Sequence, residues 1–221
     1  MESAKRFTGT LMARRLPSCV LLLAVLSGLG GCLGAAVEVP TEFPVPLLRQ
    51  LPVNVGLVLS DDLTSFVHEE TLPDNGDWRI VLGPAQPVMF NNLFAGMFDS
   101  HQIVADTSAQ TQGRSVNGVL VPSIEEVQFS IPSQTRSDYF EVWIRYQIKL
   151  YDNGTLLGEW PITAYGKANV QNYGLSSTSP ALQAAAFAAC RDAMAYFAVE
   201  FQRVPAVRTW LAAQSPQGAP S

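Results

Sequence analysis

The chain has 221 residues, of which 48% are hydrophobic and 15% charged. This is apolar enough for one packed domain plus a leader, and it excludes wholesale disorder. Residues 1–31 carry Lys5, Arg6, Arg14 and Arg15 against Glu2. Removing them from totals of 14 basic and 19 acidic residues leaves 10 and 18, a net −8 that argues against nucleic-acid binding and against broad electrostatic docking on anionic lipid.

The first 31 residues read as a lipoprotein signal peptide. A basic region ends at Arg14 and Arg15, an apolar core runs over 20–29, and the small residues Gly30 and Gly31 follow. The core is too short for a permanent membrane helix and suits a cleaved secretion signal. The stretch "LGGC" (29–32) resembles the bacterial lipobox. The resemblance implies cleavage before Cys32, acylation of its sulfur and its new amine, and attachment to a membrane facing the periplasm. The alternative is an ordinary secretory signal with a chance cysteine. Several acyl chains at about 0.8 kcal/mol per buried methylene hold a protein far better than one. Cys19 precedes the apolar core and is a poor rival. Leu33 stands where, in enterobacteria, Asp would retain a lipoprotein in the inner membrane, so outer-membrane sorting is expected. Inner-membrane retention stays open.

Residues 32–52 are expected to form the lipidated cysteine and a Pro-rich tether. Pro40, Pro44, Pro46 and Pro52 forbid a continuous helix, and a free extended segment of this length would reach about 60 Å. Packing of the apolar "FPVPLL" along the body is the alternative.

The expected body spans 53–213. "PVNVGLVLS" reads as a strand, the charged stretch 60–77 as loops with a turn at Asp74, Asn75 and Gly76, and "WRIVLG" as a second strand. Over 85–98, Met89, Leu93 and Met97 form one row and Phe90, Phe94 and Phe98 another, which predicts a helix with a broad apolar face. That face either packs on the sheet or lines a lipid-accepting groove. "SHQIVAD" reads as a strand, "TSAQTQGRSVNG" as an irregular loop, and "VLVPSIEEVQFSIP" as a strand with a possible break at Pro122.

The clearest periodicity lies in "YFEVWIRYQIKLY". Phe140, Val142, Ile144, Tyr146, Ile148 and Leu150 alternate with Glu141, Trp143, Arg145, Gln147 and Lys149, which requires a strand with one buried and one wet face. Asp152, Asn153 and Gly154 make a tight hairpin, and the return strand runs to about Ala168. Ser179 caps and Pro180 opens a long Ala-rich helix whose inner stripe is Ala186, Cys190, Ala193, Phe197 and Phe201. Pro205 ends or kinks it, a short turn follows, and 214–221 is a frayed tail. The expected fold is α+β: a single antiparallel-rich mixed sheet with two helices on one face.

No catalytic residue, cofactor site or metal site is expected. The chain lacks a G-x-S-x-G elbow and the phosphate-binding glycine loops, and its single body cysteine, Cys190, suits a core position. The two histidines, His68 and His101, read as solvated or capping. On the wet strand face, Trp143, Arg145, Lys149 and Tyr151 form the candidate partner-binding set, since exposed aromatics beside Arg are common at interfaces. Packing under a loop or the tether is the alternative.

The order of "VNVGLVLS", "MFNNLFAGMF", "SHQIVAD", the long hairpin and the last helix, behind Cys32, resembles small periplasmic lipoproteins. They include those with the fold of the TolB N-terminal domain, the curli-secretion lipoprotein and the auxiliary lipoproteins of lipid-transporting ABC systems. The resemblance implies a non-catalytic component of an envelope or transport machine that binds an envelope protein partner, with a carrier of lipid or another small hydrophobic ligand as the alternative.

Overall fold

A computed structural model describes residues 34–108, 116–176 and 178–214. The signal peptide, Cys32, part of the loop 106–117 and the end of the tail lie outside the described residues. In chain order the elements are β1 (Gly34–Glu38), β2 (Leu51–Leu57), α1 (Asp61–Thr64), β3 (Val67–Leu72), β4 (Gly76–Val81), α2 (Ala85–Met97), β5 (Phe98–Ile103), β6 (Gly118–Ser130), α3 (Pro132–Thr135), β7 (Tyr139–Asp152), β8 (Thr155–Asn169), α4 (Thr178–Glu200) and α5 (Pro205–Gln214).

The fold is α+β, and the strands divide between two sheets rather than forming the single one expected: β5-β2-β6-β7-β8 and β1-β4-β3. The second sheet arises where a charged loop was expected. "VHEETL" is polar on both faces and hides its strand character, yet it pairs along its whole length with β4, turning at Asp74 and Gly76, both with positive φ.

β7 carries the core. Its even-numbered residues from Phe140 to Leu150 are buried, and Trp160, Ile162, Ala164 and Ala168 of β8 bury on the same side. Both long helices lie on that side. The hydroxyl of buried Tyr146 donates to Gln86 Oε1 of α2 at 3.1 Å and lies 3.9 Å from Cys190 Sγ of α4. Gln86, itself fully buried, also donates to the Leu82 carbonyl, so this polar knot is satisfied. Burial pushes the Tyr146 hydroxyl well above its usual pKa and the Cys190 thiol up to about 12, which keeps both neutral and Cys190 inert. Phe94, Phe98, Phe197 and Phe201 pack in successive ring contacts of 5.1–5.7 Å, each worth about 0.5–1.5 kcal/mol beyond area burial.

Pro122 does not break β6. It pairs opposite Ile148, and its missing donor lies on the side where pairing with β2 has already ended, at Leu57 opposite Leu120; an unpaired flank is where a strand tolerates proline. The short turn expected after Pro205 is the full helix α5, with Trp210 Nε1 donating to the Asn117 carbonyl at 3.0 Å.

The Pro-rich segment packs on the body instead of standing free. β1 pairs parallel to β4, and residues 39–50 then run as a strap along α2 and α4 to β2. Val39 and Phe43 are buried, with Phe43 against Phe187 at 5.0 Å. Asn92 donates to the Phe43 carbonyl, Gln50 to the Ala95 carbonyl and Gln183 to the Glu38 carbonyl. Proline's lost donors favour such a strap, because side chains of the helices can bond the carbonyls that remain. The described body therefore starts at Gly34, not Val53.

Gly166 sets the distance between α4 and β8. A Cβ there would lie 2.2 Å from the Ala185 oxygen and the Ala189 nitrogen, both backbone atoms that cannot rotate away. Gly166→Ala is expected to cost at least about 2 kcal/mol, read as a lowered midpoint in urea denaturation.

Candidate functional site on the open sheet face

The odd-numbered residues of β7 point away from the helices, as the alternation predicts. Two irregularities set what stands beside them. Asn153 and Gly154 take positive φ in a two-residue turn that pairs Asp152 with Thr155. A register shift then follows between Leu150 and Tyr151, so that Trp143 sits opposite Tyr165. On the other flank β6 shifts register between Ile124 and Glu126. This bulge turns Val127 and Phe129 to the core and leaves Glu126 and Gln128 outward, opposite Arg145 and Trp143.

The result is a groove of about 300 Å³ lined by Glu126, Gln128, Trp143, Arg145 and Thr163. The Trp143 and Tyr165 rings lie 5.2 Å apart at 37°. Arg145 Nε meets Glu125 Oε2 at 3.1 Å, an exposed pair worth under about 1 kcal/mol. Its role is to orient the guanidinium. Glu141 accepts hydrogen bonds from the Tyr165 hydroxyl and from Ser130 Oγ, and Lys167 Nζ lies 5.1 Å over the Tyr139 ring. The arrangement offers flat aromatic surface, one fixed cation and several carboxylate and amide acceptors.

The four candidate residues share one face but do not form one cluster. Trp143 and Arg145 line the groove. Lys149 lies about 13 Å further along the strand at ~3.3 Å per residue, opposite Glu159. Tyr151 stands at the hairpin end, opposite Val119, where Val104 packs over Gly56 and the Thr107 carbonyl accepts from Gly154 N. Tyr165, Gln128 and Thr163 were not legible as site residues, because their places opposite β7 depend on the two bulges; Glu141 was legible as a wet-face residue, but its partners Tyr165 and Ser130 were not. The adjacent carboxylates Glu125 and Glu126 flank Arg145.

The outer edge of β8 is guarded against an added strand. Pro161 has no donor, and the outward Tyr165 N–H is taken by Asp192 Oδ2 at 2.9 Å.

The lipid groove considered at 85–98 is replaced by core. Met89, Phe90, Leu93, Phe94, Met97 and Phe98 are all buried, because the helix is covered by β7, α4 and the strap together. The two histidines are not brought together: His68 lies 3.3 Å from Glu70 in the small sheet, and His101 bonds Asn91 at 2.9 Å. Among the described residues, no group of three or more His, Cys, Asp or Glu is placed to hold a metal ion. No described helix is long and apolar enough to cross a membrane.

No family model and no curated protein matches the chain. Solved structures do. A Xanthomonas campestris protein of the DUF330 family matches at 12% identity and a TM-score of 0.46, covering 75% of this chain and 91% of that one. A minor lipoprotein of Acinetobacter baumannii matches at 15% identity and a TM-score of 0.33, covering 79% and 100%. A hypothetical protein of Chlamydia trachomatis matches at 9% identity and a TM-score of 0.39, covering 74% and 99%.

The carboxylate of Glu141 holds the Tyr165 hydroxyl protonated, raising its pKa from 10.0 to about 12. The group is raised relative to the unfolded chain, so its contribution to stability is complete below about pH 10 and is lost as pH rises to about 12. Glu141→Gln is expected to return the Tyr165 transition toward 10, measured by ultraviolet titration of tyrosinate with Tyr165→Phe as the assignment control.

Proposed function

We propose that this chain is a bacterial lipoprotein anchored through acylated Cys32 in the outer membrane, facing the periplasm. Its body is a non-catalytic, protein-binding component of a cell-envelope or transport machine. In this role it is akin to the TolB-domain, curli-secretion and ABC-auxiliary lipoproteins that its element order resembles. The observation that supports it best is the groove around Trp143 and Arg145. A half-buried indole beside a second ring, next to an exposed and oriented guanidinium, has the composition of a binding hot spot. The guarded β8 edge favours docking on the face over strand addition there.

Two measurements test the two halves. Labelled palmitate is expected to enter the wild-type chain and not Cys32→Ser; incorporation into neither removes the anchor. Capture from cross-linked envelopes is expected to recover one stable protein partner. Trp143→Ala with Arg145→Ala is expected to weaken that complex by at least about 30-fold, the equivalent of one hot spot at ~2 kcal/mol. Equal recovery with the double variant, or no partner at all, rejects the interaction role.

A further inference from the structure

Opposite the open sheet face, the strap leaves an apolar ridge uncovered. Leu47 is 100% exposed, and Val45 and Leu48 are 49% and 45% exposed. The ridge is held rigidly. Pro44 and Pro46 fix the backbone around Val45, and Pro46 lies directly on Gly96, where even a Cβ would come within 2.4 Å of its carbonyl oxygen. Beside it runs a groove of about 310 Å³ lined by Pro44, Pro46, Leu48, Met194 and Val199, with Arg191 at its rim. Val199 is 58% exposed, and Arg49 and Arg191 stand exposed at the border.

We propose that this ridge rests in the headgroup–acyl boundary of the bilayer to which Cys32 is anchored, so that the body lies helix side down. The inference rests on the lipoprotein reading of Cys32. Leu33 alone separates Cys32 from β1, and the residues that would have formed a long spacer are bound along α2 and α4. A leash of one residue keeps the start of β1 at the bilayer, and the chain that leaves β1 continues as the strap that carries the fully exposed leucine. Rigid apolar side chains bordered by arginines have the composition of an interfacial contact, with the guanidiniums able to reach lipid phosphates. The body's net negative charge opposes broad attraction to anionic lipid, so apolar insertion drives the contact and added salt should leave it intact. Lying on the strap side leaves the Trp143 groove directed away from the membrane, free for a partner.

The test uses the acylated chain, purified from membranes and reconstituted in vesicles of phosphatidylethanolamine and phosphatidylglycerol. Because Cys190 is buried, a fluorophore goes to an introduced cysteine: Val45→Cys on the ridge or Thr163→Cys on the opposite face. Lipid carrying a quencher near the headgroup is expected to dim the label at 45 at least about twofold and to leave that at 163 within about a tenth of its unquenched value. Adding Leu47→Asp should cut the quenching at 45 severalfold. Equal quenching of both labels, or of neither, on chains whose mass shows acyl groups on Cys32, overturns the proposal; quenching of neither leaves the ridge to a protein partner. A mass without acyl groups overturns the anchor and this orientation together.

Discussion

The close approach of α4 to β8 is the contact on which the rest of the architecture depends. Gly166 meets the backbone of Ala185 and Ala189 with no room for a side chain. Small residues on both partners let the helix lie almost directly on the strand. That closeness brings Cys190 to within 3.9 Å of the Tyr146 hydroxyl and places Phe197 and Phe201 against Phe94 and Phe98 of the neighbouring segment. It also leaves the outer side of α4, with Gln183 and Phe187, at the right height for the strap to bond and bury. A methyl group at Gly166 would lift the helix and disturb all three layers at once, since a close-packed interior transmits displacement instead of absorbing it.

The open face of the sheet is shaped by two small irregularities. Alternation in a strand has period two, so one extra residue moves everything beyond it to the other side. The bulge in β6 lets its first half bury Leu120 and its second half bury Val127 and Phe129. The same bulge puts Glu125 and Glu126 both beside Arg145. The shift near Tyr151 lets β8 bury its even-numbered residues and turns Tyr165 outward under Trp143. The groove is thus a by-product of keeping the core side continuous across three strands.

The strap gives the molecule two dissimilar sides. One is the sheet face, polar and aromatic, with charges set in pairs. The other is the helix side, where residues 39–50 bury Val39 and Phe43 but leave Leu47 outward. A segment whose composition resembles a flexible spacer serves here as a structural layer. Its prolines fix the backbone and withhold donors, while Asn92, Gln50 and Gln183 supply the bonds that hold it.

Much of the α+β plan is legible in the residues alone. The β7 alternation, the Asn153 and Gly154 turn, the apolar rows of α2 and the small-residue stripe of α4 are local signals, and each reports the element to which it belongs. The lipobox resemblance at Cys32 is equally local. Tertiary structure alone settled the separation into two sheets, the passage of β6 through Pro122, the packing of the strap, and the burial of Met89 and Phe94 as core. It alone placed Tyr165, Gln128 and Glu126 around Trp143. The physical reason is the same in each case. Periodicity says which face of a segment is apolar, but what covers that face, and which residue stands across from which, depends on cross-strand register and on contacts between residues far apart in the chain.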